Sequence, residues 1–284
     1  MIKIQVPATS ANVGVGFDCL GIAFNLYNTF LVEPADEYQL INVDEAFNNE
    51  DNLFLKAYKK GCEKINQETP IRVEFDCAIP FERGLGSSAT LIIGGLLAAS
   101  ALHNNILSKE DILSLAVELE GHPDNVAPCL EGGLVMSSIV DGEIYVRSIP
   151  IKNDWNYTLF IPDFTTSTEE ARKILPDSYP KEVVFKSVSN ALLAIEAFRD
   201  NDFDLLKVVE KDELHEPYRK TLINGFDELK ENVESQGGIL LISGSGPTCL
   251  YISPTSVDAS KINLPSWKIV EVKIDQEGAK VTEA

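Results

Sequence analysis

The chain holds 284 residues, 44% of them hydrophobic, which is long for one domain and enough for two with cores of their own. Asp and Glu number 44 against 24 Lys and Arg, a formal charge of −20, and a field of that sign repels nucleic acid, so nucleic-acid binding is excluded as an expectation. No apolar run reaches the roughly 18 residues of a membrane span. Five scattered cysteines (Cys19, Cys62, Cys77, Cys129 and Cys249), without Cys-x-x-Cys spacing, read as buried reduced thiols of a cytoplasmic protein.

The same field repels phosphates and carboxylates. Any anion site must therefore be built locally, from backbone dipoles, a metal, or the six arginines: Arg72, Arg83, Arg147, Arg172, Arg199 and Arg219. In chain order, Met1–Val6 alternates as a strand and not as a signal peptide. Pro7–Asp18 follows, with six of its positions Pro, Gly, Asn, Ser or Thr, and reads as a loop. It places Asn12 and Asp18 at the edge of a core, either as ligand contacts or as an Asx-turn and a cap. After the apolar segment Leu20–Leu26, residues 50–67 form an amphipathic helix with Leu53, Phe54, Ala57, Tyr58 and Cys62 on one face. Asn52 is its cap or a pocket residue.

Ile71–Ile79 reads as a strand, with Val73, Phe75 and Cys77 alternating, and Leu91–Leu102 as a buried helix. Between them lies Pro80-Phe81-Glu82-Arg83-Gly84-Leu85-Gly86-Ser87-Ser88-Ala89-Thr90. Gly84 and Gly86 allow a tight turn and close approach, and the N–H groups of Ser87, Ser88 and Ala89 lack intrahelical partners. Such a turn is either purely structural or a phosphate cradle. It is not the common P-loop, because no Gly-Lys-Ser/Thr is present. Helix 109–120 opens with a capping-box-like Ser108/Asp111, and Ile112, Leu113, Leu115, Ala116, Val117 and Leu119 define its apolar arc. Glu118 falls opposite that arc, a solvated acid. Glu120 falls within it, where a carboxylate needs a partner or a metal. In Gly121-His122-Pro123-Asp124-Asn125, His122 is a substrate-contact candidate rather than a zinc ligand, since no second His or Cys is near; the alternative is an Asp-Asn loop turn. A strand-like Leu134–Val140 follows.

The polar join Ile149–Trp155 sets a domain boundary, giving units 1–150 and 151–284. Tyr157–Pro162 reads as a strand and Thr165–Arg172 as a capped helix start. Stretches 184–198 and 203–214 look helical, with Arg199 a C-terminal cation of the first. Asp212–Arg219 carries His215 and Arg219, helix 222–234 follows, and strands Ile239–Ile242 and Cys249–Ile252 flank a second close-approach loop, Ser243–Thr248. Residues 267–274 alternate as a final strand.

Taken in order and spacing, Pro7–Asp18, Pro80–Ala89 and Ser243–Thr248 resemble the three signature motifs of the GHMP small-molecule kinases, and they span nearly the whole chain. Within that superfamily, Pro-Ala-Thr-Ser-Ala-Asn-x-Gly-x-Gly-Phe-Asp, His-Pro-Asp-Asn-Val-Ala-Pro and Asp-x-Leu-His-x-Pro-Tyr-Arg are similar to the homoserine kinase family. The resemblance implies an α+β fold: an N-terminal ATP-binding domain like ribosomal protein S5 domain 2 and a C-terminal ferredoxin-like α/β sandwich. It implies ATP bound along Pro80–Thr90 with its phosphates on Gly84–Ala89, Mg2+ held by Ser88 (with Ser87) and Glu120, and phosphorylation of L-homoserine to O-phospho-L-homoserine before threonine synthase. Asn12, Asp18, His122, Asp124 and Asn125 would line the homoserine site. Arg172 and Arg219 would grip its carboxylate, Asp18 or Asp124 its ammonium, and Gly244 would close the site. Asn12 or Asn125 would orient the attacking hydroxyl, no dedicated base being implied. The resemblance admits a homodimer. Another small alcohol, mevalonate-like or a sugar, and a non-catalytic binding role are the competing readings.

Overall fold

The computed structural model describes residues 1–152, 154–262 and 264–283; Asn153, within the expected join, lies outside them. The chain runs β1 (Ile2–Ala11), β2 (Leu20–Pro34), β3 (Gln39–Ile41), α1 (Leu53–Ile65), β4 (Ile71–Cys77), α2 (Ser87–Leu102), α3 (Lys109–Glu120), α4 (Pro123–Glu131), β5 (Leu134–Val140) and β6 (Glu143–Ile149). It continues through β7 (Asn156–Pro162), α5 (Thr168–Lys173), α6 (Lys181–Asp200), α7 (Phe203–Val209), α8 (Glu216–Arg219), α9 (Phe226–Glu234), β8 (Ile239–Ile242), β9 (Cys249–Ser253), β10 (Trp267–Val272) and β11 (Lys280–Glu283).

Among the described residues two sheets form. The first has seven strands in the order β11-β1-β2-β4-β3, with β5 on the far end of β2 and β6 beside β5. The second is β10-β7-β9-β8, an antiparallel four-stranded sheet. One core lies between the first sheet and α1–α4, with Phe30, Phe54 and Phe75 against Ile93 and Leu96. Helix α2 is apolar all round, as a helix with neighbours on every side must be. A second core joins both sheets, because Ala8, Leu20 and Phe24 pack in one cluster with Leu159, Leu250, Phe198 and Leu206. The opposite face of the second sheet buries Phe160, Tyr251 and Trp267 against α9. Two faces of β7 are thus used, which is why its residues 157–162 are buried without alternation. No helix among the described residues is long and apolar enough to cross a membrane.

Several sequence expectations are corrected. Strand β1 runs on through Thr9, Ser10 and Ala11, where a loop was expected, because pairing with Gly21–Ala23 of β2 outweighs their polar composition. Residues 123–131 are helical despite two prolines. Pro123 sits in the first turn, which needs no N–H bond, and Pro128 leaves a helix of nine residues intact. Helix α7 stops at Val209 rather than 214, since the Asp212 carboxylate accepts from the N–H groups of Leu214, His215 and Glu216 and starts a separate turn. Residues 222–225 precede α9, which begins at Phe226. Strands β3, β6 and β11 were not anticipated; β6 pairs with β5 through an Asp141-Gly142 turn with both φ positive. Leu119 points outward, and Cys19 and Cys77 are exposed rather than buried.

Candidate active site

A cavity of about 740 Å3 opens where the first loop, the glycine turn, the α3–α4 junction, α5 and the Gly244 loop meet. The glycine turn joins β4 to α2. Gly84 has φ +72, and a Cβ there would stand 2.3 Å from the Ser243 carbonyl. Ser243 Oγ donates to the Gly84 carbonyl at 2.6 Å and the Thr248 N–H to the Arg83 carbonyl at 3.2 Å, so the second and third signature loops are locked together. Glycine is required by both conformation and space. Ser87 opens α2 behind Gly86, and its buried Oγ has no protein partner among the described residues. Phe81, Glu82, Arg83, Gly84, Leu85, Gly86, Ser87 and Ser88 line the cavity. Pro80, Ala89 and Thr90 are not part of its wall; the Thr90 hydroxyl donates to the Ser87 carbonyl and accepts from Asn28 of β2, fixing the helix start. The Arg83 guanidinium is spent on three carbonyls, those of Phe81, Pro162 and Asp163, and ties the turn to the second sheet. Asn52 does two things: its Oδ1 caps α1 through Phe54 and Leu55, and its Nδ2 holds the Phe47 carbonyl at the cavity wall.

At the α3–α4 junction Ser88 Oγ donates to Glu120 Oε2 at 2.6 Å. Burial raises the Glu120 carboxyl above its ordinary value, opposed by Ser88 and His122. Glu118 faces solvent and pairs with Lys60. His122 Nδ1 meets Asp124 Oδ1 at 2.7 Å, and that bond raises the imidazole above its usual value. Among the described residues no group of three or more His, Cys, Asp or Glu could hold a metal ion. A hydroxyl and a carboxylate beside a phosphate turn nevertheless suit Mg2+, a hard cation that takes few protein oxygens and completes its shell from phosphate and water.

Another part of the wall is cationic. Arg172 of α5 makes a two-pronged pair with Asp18, Nη2 to Oδ1 at 3.0 Å and Nη1 to Oδ2 at 3.2 Å, which raises the guanidinium. Arg219 is only 2% exposed; its Nε and Nη1 donate to the carbonyls of Ala171 and Gly244, and it lies over the Phe17 ring. Burial lowers it, yet guanidinium stays charged. The Gly244 carbonyl also accepts from Asn12 Nδ2 at 2.8 Å, and Asn12 Oδ1 accepts from the Asp18 N–H. Asn12 is thus occupied at both ends, whereas among the described residues Asn125 is bonded at its Oδ1 alone, by Thr9.

Sequence reasoning missed the supports. Thr9 is buried in β1; Glu210 accepts from the Val15 N–H, packs where a Cβ on Gly14 would collide, and is held well above the usual carboxyl range by burial. His215 stacks on Phe17 and bonds the Gly14 carbonyl. Thr9 and His215 lie in the quoted motifs but without a role there, and no local pattern marked Glu210, which reaches the first loop only because α7 ends at Val209.

Fold and site together define the class: a GHMP kinase, and residues 52–133 match the family described as GHMP kinases N terminal domain. A homoserine kinase of Clostridium botulinum (strain 657 / Type Ba4) is 40% identical, with 99% of this chain and 98% of that one covered. A homoserine kinase of Clostridium beijerinckii is 39% identical, covering 100% and 99%. The crystal structure of homoserine kinase from Cytophaga hutchinsonii superposes with a TM-score of 0.90 at 29% identity, covering 99% of this chain and 97% of that one. The chain belongs to the homoserine kinase family.

Proposed function

We propose that this chain transfers the γ-phosphoryl group of ATP to the hydroxyl of L-homoserine, giving O-phospho-L-homoserine and ADP, a step of threonine biosynthesis. The observation that carries this reading is one cavity with a backbone phosphate cradle at one end and Arg172, Arg219 and Asp18 at the other. A zwitterionic amino acid carrying a free hydroxyl fits that polarity. The unit 1–150 is assigned to ATP and the unit 151–284 to closing the substrate end, with β11 returned to the first sheet.

The N–H groups at the start of α2 face the phosphates. Ser88 and Glu120 would hold Mg2+, which supplies charge neutralisation at the phosphates when bound. Arg172 would exchange part of its pair with Asp18 for the substrate carboxylate, leaving Asp18 to meet the ammonium; Arg219 reinforces the same end from below. Asp124 holds His122 at the wall near the hydroxyl-bearing end. Asn12 braces Asp18 and Gly244, and Asn125, with Nδ2 uncommitted among the described residues, orients the attacking hydroxyl and the γ-phosphoryl oxygens. Positioning and charge stabilisation are most of what phosphoryl transfer asks of a protein.

ADP release with Mg-ATP, measured against L-homoserine, mevalonate, galactose, L-serine and L-threonine, tests the reading. Saturable turnover selective for L-homoserine is expected, and Arg172→Ala should raise its KM about 10- to 100-fold with the ATP KM within about twofold. Turnover with another alcohol alone would discard the homoserine pocket.

A further inference from the structure

Thr9 lies in β1, beneath the phosphate turn, and is 0% exposed. Its two polar groups go to two different parts of the site. Its N–H donates to the Leu85 carbonyl at 3.1 Å, holding the turn. Its hydroxyl donates to Asn125 Oδ1 at 2.8 Å, across a sequence separation of 116 residues. The hydroxyl sits directly under Gly86, where a Cβ would stand 2.1 Å from Thr9 Oγ1 and 3.2 Å from Asn125 Oδ1. The glycine is therefore also the gap through which β1 reaches the asparagine.

An amide has an acceptor end and a donor end of nearly the same shape, and only its partners decide which faces where. An anionic phosphoryl oxygen is stabilised by the N–H end and repelled by the carbonyl end. We propose that Thr9 is a positioning residue for phosphoryl transfer. Its hydroxyl accepts from Cys129 Sγ at 3.9 Å and turns its own proton to Asn125 Oδ1, so that Nδ2 is the end presented to the cavity. The proposal rests on the kinase reading above, since it presumes an anion at that place.

The test compares Thr9→Val, which keeps the shape and removes the hydroxyl, with Thr9→Ser, which keeps the hydroxyl. Thr9→Val should lower kcat about 10- to 100-fold with both KM values within about twofold, and Thr9→Ser should retain most of the rate. In an Asn125→Ala background Thr9→Val should cost no more than about twofold further, since the two residues act as one unit. Full rate in Thr9→Val, equal losses in Val and Ser, or additive losses with Asn125→Ala would each overturn it. If Thr9→Val does not fold, Thr9→Ala carries the same comparison. If the wild-type chain does not turn over L-homoserine, the kinase reading fails separately. The side-chain 15N–1H pair of Asn125 then decides the positioning alone: it should shift and broaden in Thr9→Val and stay put in Thr9→Ser, and an unchanged pair in Thr9→Val would refute it.

Discussion

The two ends of the cavity handle negative charge by different means. The end proposed for the phosphates offers the turn at Gly84–Gly86, the first N–H groups of α2 and the Ser88–Glu120 pair, with no cation among the described residues except Arg83, which is occupied by carbonyls. The other end uses fixed side-chain charge, Arg172 and Arg219, drawn from two helices of the second half of the chain. Backbone dipoles let the first end accept a large polyanion without a standing positive field. Two arginines on a chain of −20 give the second end a local positive field, which under the proposed reading serves one small carboxylate.

That difference can be broken at each side. The largest effect is expected for Glu120→Gln, which should lower kcat about 10³-fold and raise the Mg2+ concentration for half activity, read by ADP release across a magnesium titration. Homoserine KM should move little; a change confined to KM would put Glu120 at the wrong end. Arg219→Met should lower kcat/KM for L-homoserine about 10²-fold, and because it orphans the carbonyls of Ala171 and Gly244 it should also cost about 2 kcal/mol of stability by urea unfolding. Unchanged ATP binding in that variant would keep the two ends separate.

The smallest effect concerns Glu210, the brace behind the first loop. Glu210 is held above its ordinary value near 4.5, so the folded state keeps a proton that the unfolded chain releases. Stability from this group is present at low pH and is lost as pH rises above about 4.5 toward the raised folded value. Glu210→Gln cannot ionise, so its advantage over wild type in urea unfolding should grow between pH 5 and pH 8, to about 1 kcal/mol or more. A constant gap would show that Glu210 is ionised when folded.

The glycine turn was legible because it is contiguous: strand, two glycines, Ser-Ser and an apolar helix follow one another within one stretch. Glu120 was legible too, since helical phase alone separates it from Glu118. The Asp141-Gly142 hairpin carried a readable signal in its turn residues, and β6 was overlooked rather than hidden. Other features had no local mark. Arg83 looks like an anion ligand in sequence and is a backbone tie in the structure. Cys19 and Cys77 were expected inside on residue type, and their places at the ends of elements expose them.

What the sequence by itself determined is everything that depends on neighbours a few residues apart: the turn chemistry, the helix caps at Ser108 and Ser167, the apolar faces, the scarcity of arginine and the order of the three loops. Only the tertiary structure decided what each polar atom is used for. Asn12, just past β1, and Asn125, in the first turn of α4, are the same residue type, yet one has both ends bonded and the other has, among the described residues, an amide nitrogen left over. The physical reason is that a hydrogen bond is set by position to within a fraction of an ångström. The partners here, Gly244 and Asp18 for Asn12 and Thr9 for Asn125, stand up to 232 residues away in sequence.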